Sequence, residues 1–106
     1  MKINVFYKDI KIGELTKIQN FYEYKANIKN IKRAENLGFF ALIYGLNKSF
    51  KTNEIPLSII SILPENKNSD LYKLAMVDFE KDDEFTILYK MSKLKIEKPS
   101  FHIEAE

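Results

Sequence analysis

The residues that the sequence lacks already narrow what it can do. Its 106 residues include no cysteine, no tryptophan, one histidine, three glycines and three prolines. Without cysteine the chain can form no disulfide, use no thiolate nucleophile and hold no cysteine-ligated metal, which fits a reducing compartment. No apolar run approaches the ~20 residues that a transmembrane helix requires, and charges at Lys8, Asp9 and Lys11 interrupt any signal-peptide segment. We therefore expect a cytoplasmic protein with no membrane attachment.

A large excess of one charge is also missing. The 17 basic and 15 acidic residues leave a formal net charge of +2, so the composition predicts no direct binding to nucleic acid. What is present is apolar material: 45% of the residues are hydrophobic, including eight phenylalanines and six tyrosines. That is ordinary globular composition, and the length predicts a single domain over residues 1–106.

The first quarter of the chain alternates between apolar and polar residues. Residues 2–8 place Ile3, Val5 and Tyr7 on one face, and similar runs follow at 10–15 and 21–25, separated by Lys8-Asp9 and Gln19-Asn20. This pattern predicts three antiparallel strands joined by tight turns. Residues 27–37 are interpreted as a short helix or an irregular connection that Gly38 ends.

The second half has helical spacing. We expect one helix capped by Asn53 with Ile55, Ile59 and Ile62 on one face, and a second, capped by Ser69 or Asp70, with Leu71, Leu74 and Ala75 facing inward. A third helix should begin near Asp82-Asp83, followed by a short final strand at 101–103. The predicted fold class is α+β: a small antiparallel sheet followed by about three short helices.

The chain offers little that could support catalysis. His102 is the lone histidine and is expected to be a solvated or structural residue, since no cysteine or second histidine could join it at a metal or catalytic site. The acidic run 82–84 lacks the spacing of a calcium loop and is interpreted as a helix cap. We therefore predict a protein that is not an enzyme, with no metal and no cofactor; a minor enzyme using carboxylates is the last alternative.

Phosphate-binding and kinase motifs are also missing. The three glycines stand in separate segments, so none forms a Gly-rich loop. Asp78-Phe79 is followed by glutamate, which excludes the metal-binding motif of a kinase. Lys29, Lys32 and Arg33 are interpreted as a solvated basic face.

Residues 39–50 form the most aromatic stretch of the chain, with Phe39, Phe40, Tyr44 and Phe50 close together. One interpretation is that the stretch is core, as a buried strand. The other is that part of it anchors a partner protein, because aromatic side chains dominate the energetics of interfaces. Periodicity does not decide between the two.

The order of these segments resembles the N-terminal subdomain of the HipA family of serine/threonine kinases, the toxins of bacterial toxin–antitoxin systems. Residues 12–15 (Ile-Gly-Glu-Leu) are similar to the second strand of its first hairpin, and 21–27 (FYEYKAN) to its third strand. Residues 55–65 resemble a helix that ends in Leu-Pro-Glu, and 82–94 a helix with a Phe-x-Leu-Leu core. Two segments depart from that family: FFALIYGLN replaces a proline-containing strand, and Lys93–Ile96 replaces a Gly-Arg-Asp segment.

The kinase core of that family is missing, so the chain resembles the free-standing HipS protein of three-gene HipBST systems. The resemblance implies a non-catalytic antitoxin that binds and inhibits a HipA/HipT-like kinase, alone or in a ternary complex with a HipB-like helix-turn-helix repressor. The partner-binding residues expected on this basis and from the aromatic run are Phe39, Phe40, Tyr44, Phe50, Leu63, Pro64 and Glu65. Two alternatives stay open: a mobile-element or phage protein that inhibits a different host enzyme, and a nucleic-acid-binding accessory factor that uses Lys29, Lys32 and Arg33.

Overall fold

A five-stranded antiparallel sheet organises the molecule in the computed structural model, which describes all residues from 1 to 106. The strand order is β4-β3-β2-β1-β5. The strands are β1 (Lys2–Tyr7), β2 (Ile10–Ile18), β3 (Phe21–Ala26), β4 (Phe50–Thr52) and β5 (Phe101–Ala105). The prediction of an α+β fold with a leading strand meander is confirmed.

The meander turns where the polar dipeptides predict it. Two-residue turns at Lys8-Asp9 and Gln19-Asn20 join β1 to β2 and β2 to β3. The first residue of each turn has a positive φ, 55° at Lys8 and 53° at Gln19. A positive φ at that position gives the hairpin the twist that flanking strands require. The register that follows places Ile3 opposite Leu15 and Leu15 opposite Tyr24.

The two faces of the sheet are chemically different. One face carries fully buried apolar side chains, among them Ile3, Val5 and Leu15. The opposite face carries ion pairs between neighbouring strands, such as Lys2 to Glu14 at 3.3 Å. This alternation is what a sheet covered on one side requires.

Five short helices occur in the connections: α1 (Ile28–Glu35), α2 (Ala41–Tyr44), α3 (Leu57–Ile60), α4 (Asp70–Leu74) and α5 (Glu84–Ser92). One hydrophobic core of 16 buried residues draws on four of the strands and four of the helices. In α5 the buried residues Phe85, Leu88 and Ser92 follow helical spacing, and Asp83 caps the helix by accepting a hydrogen bond from the Thr86 amide at 2.8 Å. The predicted acidic start of this helix is therefore confirmed.

Two helix predictions are wrong in detail. The helix expected from Asn53 is α3, and it begins only after Pro56, because helical geometry is disfavoured for a residue that precedes proline. In α4 the buried side chain is Tyr72, whereas Leu74 is 67% exposed. A helix of five residues spans little more than one turn, so its apolar residues do not define an inward face.

Residues 39–46 are not a buried strand. They form the single turn of α2 with flanking loop, and the strand of this region is β4, which pairs with β3 through Phe50 opposite Tyr24. Gly45 follows α2 with φ 69°, a left-handed conformation that ends the helix.

Candidate protein-contact surface

Phe39 is a core residue and does not present a contact surface. Its side chain is 1% exposed. Its ring lies 5.1 Å from the ring of Tyr7, 4.9 Å from that of Tyr44 and 6.1 Å from that of Phe101, centre to centre. The expectation that Phe39 contacts a partner is therefore corrected: aromatic packing against β1 and β5 takes up its surface. Tyr44 is half-buried in the same cluster.

Three residues that follow Phe39 in the sequence are exposed to solvent. Phe40 is 64% exposed, Leu42 74% and Ile43 80%. We name these three residues the α2 patch. The amide of Ile43 donates to the Phe40 carbonyl at 3.1 Å, so the two side chains are i, i+3 neighbours on one helical turn. Of the three, Phe40 is among the contact residues expected from the sequence; Leu42 and Ile43 are indicated there only by their place in the apolar run.

Buried residues on both sides of the α2 patch fix its position. Ala41 and Leu46 are fully buried, and the Leu46 amide donates to the Ala41 carbonyl at 3.0 Å. The Tyr24 hydroxyl, itself buried, donates to the Leu46 carbonyl at 3.0 Å. Burial raises the pKa of Tyr24 well above its ordinary value, so the hydroxyl stays a proton donor. The exposed side chains are thus displayed from a rigid base.

Phe50 belongs to β4 and is not part of the α2 patch. It is half-buried in β4, with its ring centre 5.3 Å from that of Tyr24. This cross-strand aromatic pair stabilises the edge of the sheet, so Phe50 has a structural role there.

The predicted Leu63-Pro64-Glu65 segment follows α3 and is a separate region. Leu63 and Pro64 are half-buried, Glu65 is exposed, and the Pro64 carbonyl accepts a hydrogen bond from the Tyr72 hydroxyl at 2.5 Å. No hydrogen bond, ion pair or ring contact joins residues 63–65 to residues 39–50. Because Phe39 is buried in the core, the seven predicted contact residues do not all belong to one exposed surface.

Asp82 and Asp83, in the acidic run 82–84, are both engaged in local structure. The Lys17 ammonium lies 2.5 Å from the Asp83 carboxylate. Together with the Thr86 amide, Lys17 lowers the pKa of Asp83 to about 2. Asp82 pairs with Lys90 at 2.6 Å. No three histidine, aspartate or glutamate side chains come together as a metal-ion site would require.

His102 is held by its surroundings. Its ring stacks on Phe6 with centres 5.4 Å apart, and its Nδ1 and Nε2 atoms lie 3.0 Å from the Pro99 carbonyl and the Glu104 carboxylate respectively. Both ring nitrogens thus have protein partners, as expected for a structural histidine.

The helix α1 carries the basic residues of the nucleic-acid alternative. Lys29, Lys32 and Arg33 are all exposed, and none of them has a carboxylate within 4 Å. The Arg33 guanidinium donates one hydrogen bond, to the side-chain oxygen of Asn30 at 3.4 Å. These three cations are available to an external anion.

Two broader findings bear on function. No helix combines the length and the apolar character needed to cross a membrane. Comparison of the chain with protein-family models, with curated proteins and with solved structures gives no match.

Proposed function

We propose that this protein is a non-catalytic cytoplasmic antitoxin that binds a HipA/HipT-like serine/threonine kinase and inhibits it. The proposal is supported by the resemblance of four collinear segments to the N-terminal subdomain of that kinase family. It is also supported by the α2 patch, the single structural observation that carries it. A HipB-like repressor would join the same complex.

The α2 patch has the properties of a partner anchor. Three apolar side chains on and beside the single turn of α2 are held by buried residues on both sides, so little conformational freedom would be lost on binding. Exposed apolar groups that cluster, rather than lie singly, mark interaction sites on soluble proteins. The kinase surface that receives them should be an apolar groove beside the nucleotide-binding lobe, where occupation would hold the phosphate-covering loop inactive.

The first experiment identifies the partner. The tagged protein is purified from its native host and the proteins that accompany it are identified by mass spectrometry. Recovery of a HipA-like kinase with a helix-turn-helix repressor would support the proposal, and purified kinase should then lose activity when the protein is added in equal amount. Enrichment of an unrelated enzyme instead would contradict the antitoxin function and favour the mobile-element or phage inhibitor.

Matched variants then locate the surface. The triple variant Phe40→Ser, Leu42→Ser, Ile43→Ser should keep the circular dichroism spectrum and weaken kinase binding by roughly 1–3 kcal/mol per anchor. The control Leu74→Ser, Met76→Ser removes side chains that are 67% and 80% exposed in the α4 region and should leave affinity unchanged. Equal affinities for both variants would show that another surface binds the kinase.

The nucleic-acid function is the second candidate, because α1 exposes three unpaired cations. If Lys29, Lys32 and Arg33 each neutralise one phosphate, the logarithm of the binding constant should fall with the logarithm of salt concentration at a slope near −2.7, about −0.9 per contact. Replacing all three with glutamine should abolish that slope. Absence of salt-dependent binding to duplex DNA in an electrophoretic shift assay would remove this candidate.

A further inference from the structure

A second group of exposed apolar side chains lies on α4 and in the residues that follow it. Leu74 is 67% exposed, Met76 80% and Phe79 41%. We name these three residues the α4 patch. The Phe79 ring packs edge-on against the ring of the buried Tyr72, with centres 4.9 Å apart, and the Val77 amide donates to the Tyr72 carbonyl at 3.0 Å. Tyr72 therefore fixes this patch on the body of the protein.

The backbone at Met76 is strained. Its φ of 58° lies in the left-handed region, which residues other than glycine seldom adopt. The Met76 carbonyl accepts a hydrogen bond from the Lys90 ammonium at 3.1 Å, and Lys90 is itself paired with Asp82. The fold thus maintains an unfavourable conformation at a residue whose apolar side chain is mostly in water. Strain of this kind, in a cluster of exposed apolar groups, favours a contact outside the monomer.

The α2 patch has basic surroundings. Residues 27–50 contain four basic residues and one acidic residue, Glu35. The Phe39 amide donates to the Ala34 carbonyl at 3.1 Å, so Arg33 and Phe40 stand on either side of a hydrogen-bonded pair and lie close together. The last turn of α1, with its unpaired cations, therefore borders the α2 patch.

The α4 patch has acidic surroundings. Residues 65–84 contain seven acidic and three basic residues. Asp82 and Asp83 are paired with lysines from outside this stretch. The acidic residues that have no cation within 4 Å are Glu65, Asp78, Glu80 and Glu84. They outnumber the two lysines of the stretch that lack a carboxylate partner, Lys67 and Lys81, so the border of the α4 patch is opposite in charge to that of the α2 patch.

We propose that the α2 patch of one copy of this chain binds the α4 patch of a second copy, with the cations of α1 facing the acidic residues around α4. The contact removes both apolar patches from water. Pairing of like patches would bring like charges together, so charge selects the unlike pair. Two copies can make the contact twice in a closed dimer, or each copy can pass it to the next in an open chain. The contact is independent of the proposed antitoxin function, although a kinase on the α2 patch would displace the second copy.

The first test follows the purified protein alone by sedimentation velocity. Three side chains on each partner form an interface smaller than the ~1,200 Å² of stable complexes, so association should be weak and visible only between ~10 μM and ~1 mM. The weight-average mass should rise with concentration, and raising NaCl from ~50 to ~500 mM should weaken association at least about threefold, because salt screens the charges. A mass that stays monomeric throughout would overturn the proposal. Binding assays with a kinase use far more dilute protein, so self-association does not affect them.

Two variants test both sides of the contact. Phe40→Ser, Leu42→Ser, Ile43→Ser removes the α2 patch, and Leu74→Ser, Met76→Ser removes most of the α4 patch. Each variant alone should stay monomeric, because every contact needs one intact patch of each kind. An equimolar mixture should associate again, since the α4 patch of the first variant can bind the α2 patch of the second. Association of either variant alone, or a mixture that stays monomeric, would contradict the pairing.

Charge variants decide the question if a serine variant unfolds, which circular dichroism detects. Lys32→Glu, Arg33→Glu places acids beside the α2 patch and should weaken self-association at least roughly tenfold, because acidic residues would then face acidic residues. The matched control is Lys93→Glu, Lys95→Glu, which makes the same change of net charge at exposed lysines after α5. It should leave self-association unchanged. Equal weakening by both variants would show that net charge, and not the border of the α2 patch, controls the association.

Discussion

Replacement of Gly13 by alanine should be among the most destabilising conservative changes in the sheet. An added Cβ would lie 2.6 Å from both Cε1 and Cζ of Tyr24, closer than real Cβ contacts occur. The Tyr24 ring cannot move aside without losing contacts. It is fully buried and packs on Phe50, and its hydroxyl donates to the Leu46 carbonyl at 3.0 Å. Either β2 or the ring must shift.

The magnitude follows from which group moves. Overpacking a filled core costs about 1–3 kcal/mol. A shift of the ring would also break its hydrogen bond and leave a buried hydroxyl and carbonyl without partners, at about 1–3 kcal/mol. We expect a loss of roughly 2–4 kcal/mol in the free energy of unfolding. For a domain of this size, each kcal/mol lowers Tm by about 4–8 °C, so the variant should melt at least ~8 °C below the unmodified protein.

The matched control is Gly45→Ala. No atom lies within 4 Å of a Cβ at Gly45, but its φ of 69° is left-handed, so alanine there carries backbone strain without a clash. That strain costs about 1–2 kcal/mol. Urea unfolding followed by circular dichroism should therefore rank Gly13→Ala below Gly45→Ala in stability. The reverse order, or equal stabilities, would refute the argument that Tyr24 fills the space above Gly13.

Three further predictions concern the core, the helix cap and the buried hydroxyl. Phe39→Ala should cost about 3–5 kcal/mol and Phe40→Ala less than about 0.5 kcal/mol in urea unfolding, although the residues are adjacent; similar losses would contradict their opposite burial. Asp83→Ala should cost about 1–2 kcal/mol through the lost cap, and Asp83→Asn less, because an amide oxygen can still accept from the Thr86 amide. Because the folded pKa of Asp83 is about 2 and the unfolded value about 3.9, the stabilisation by its charge is complete above pH ~4 and is lost as pH falls toward 2; a constant difference between the unmodified protein and Asp83→Asn over that range would contradict it. Tyr24 has a raised folded pKa, so its contribution holds below pH ~10 and is lost as pH rises further; phenolate absorbance should show one tyrosine that ionises only on unfolding, absent in Tyr24→Phe.

The parts of the fold that could be predicted from sequence are those with strong local signals. Two-residue periodicity and polar dipeptides placed β1, β2 and β3, and an acidic N-cap placed α5. The strand β4 escaped prediction because three residues are too few to show alternation. Its existence depends on pairing with β3, which local sequence does not encode.

The candidate site was only partly predictable for a related reason. The apolar composition of residues 39–50 indicated that they belong to the core or to a contact surface, but not which of them face the core. Burial there is decided by rings distant in sequence, Tyr7 and Phe101, which enclose Phe39 from two strands at opposite ends of the chain. The contact between Lys17 and Asp83 likewise joins residues 66 positions apart. Such pairs become visible only in the folded molecule.

The contrast between Phe39 and Phe40 also makes the proposed function separable from folding. Because Phe39, Ala41 and Leu46 anchor the segment, the exposed side chains of Phe40, Leu42 and Ile43 contribute little to the core. These exposed apolar side chains do not stabilise the folded protein, which favours a role in binding a partner. A variant that loses only these side chains should therefore fold as before, so any loss of binding can be assigned to the surface itself.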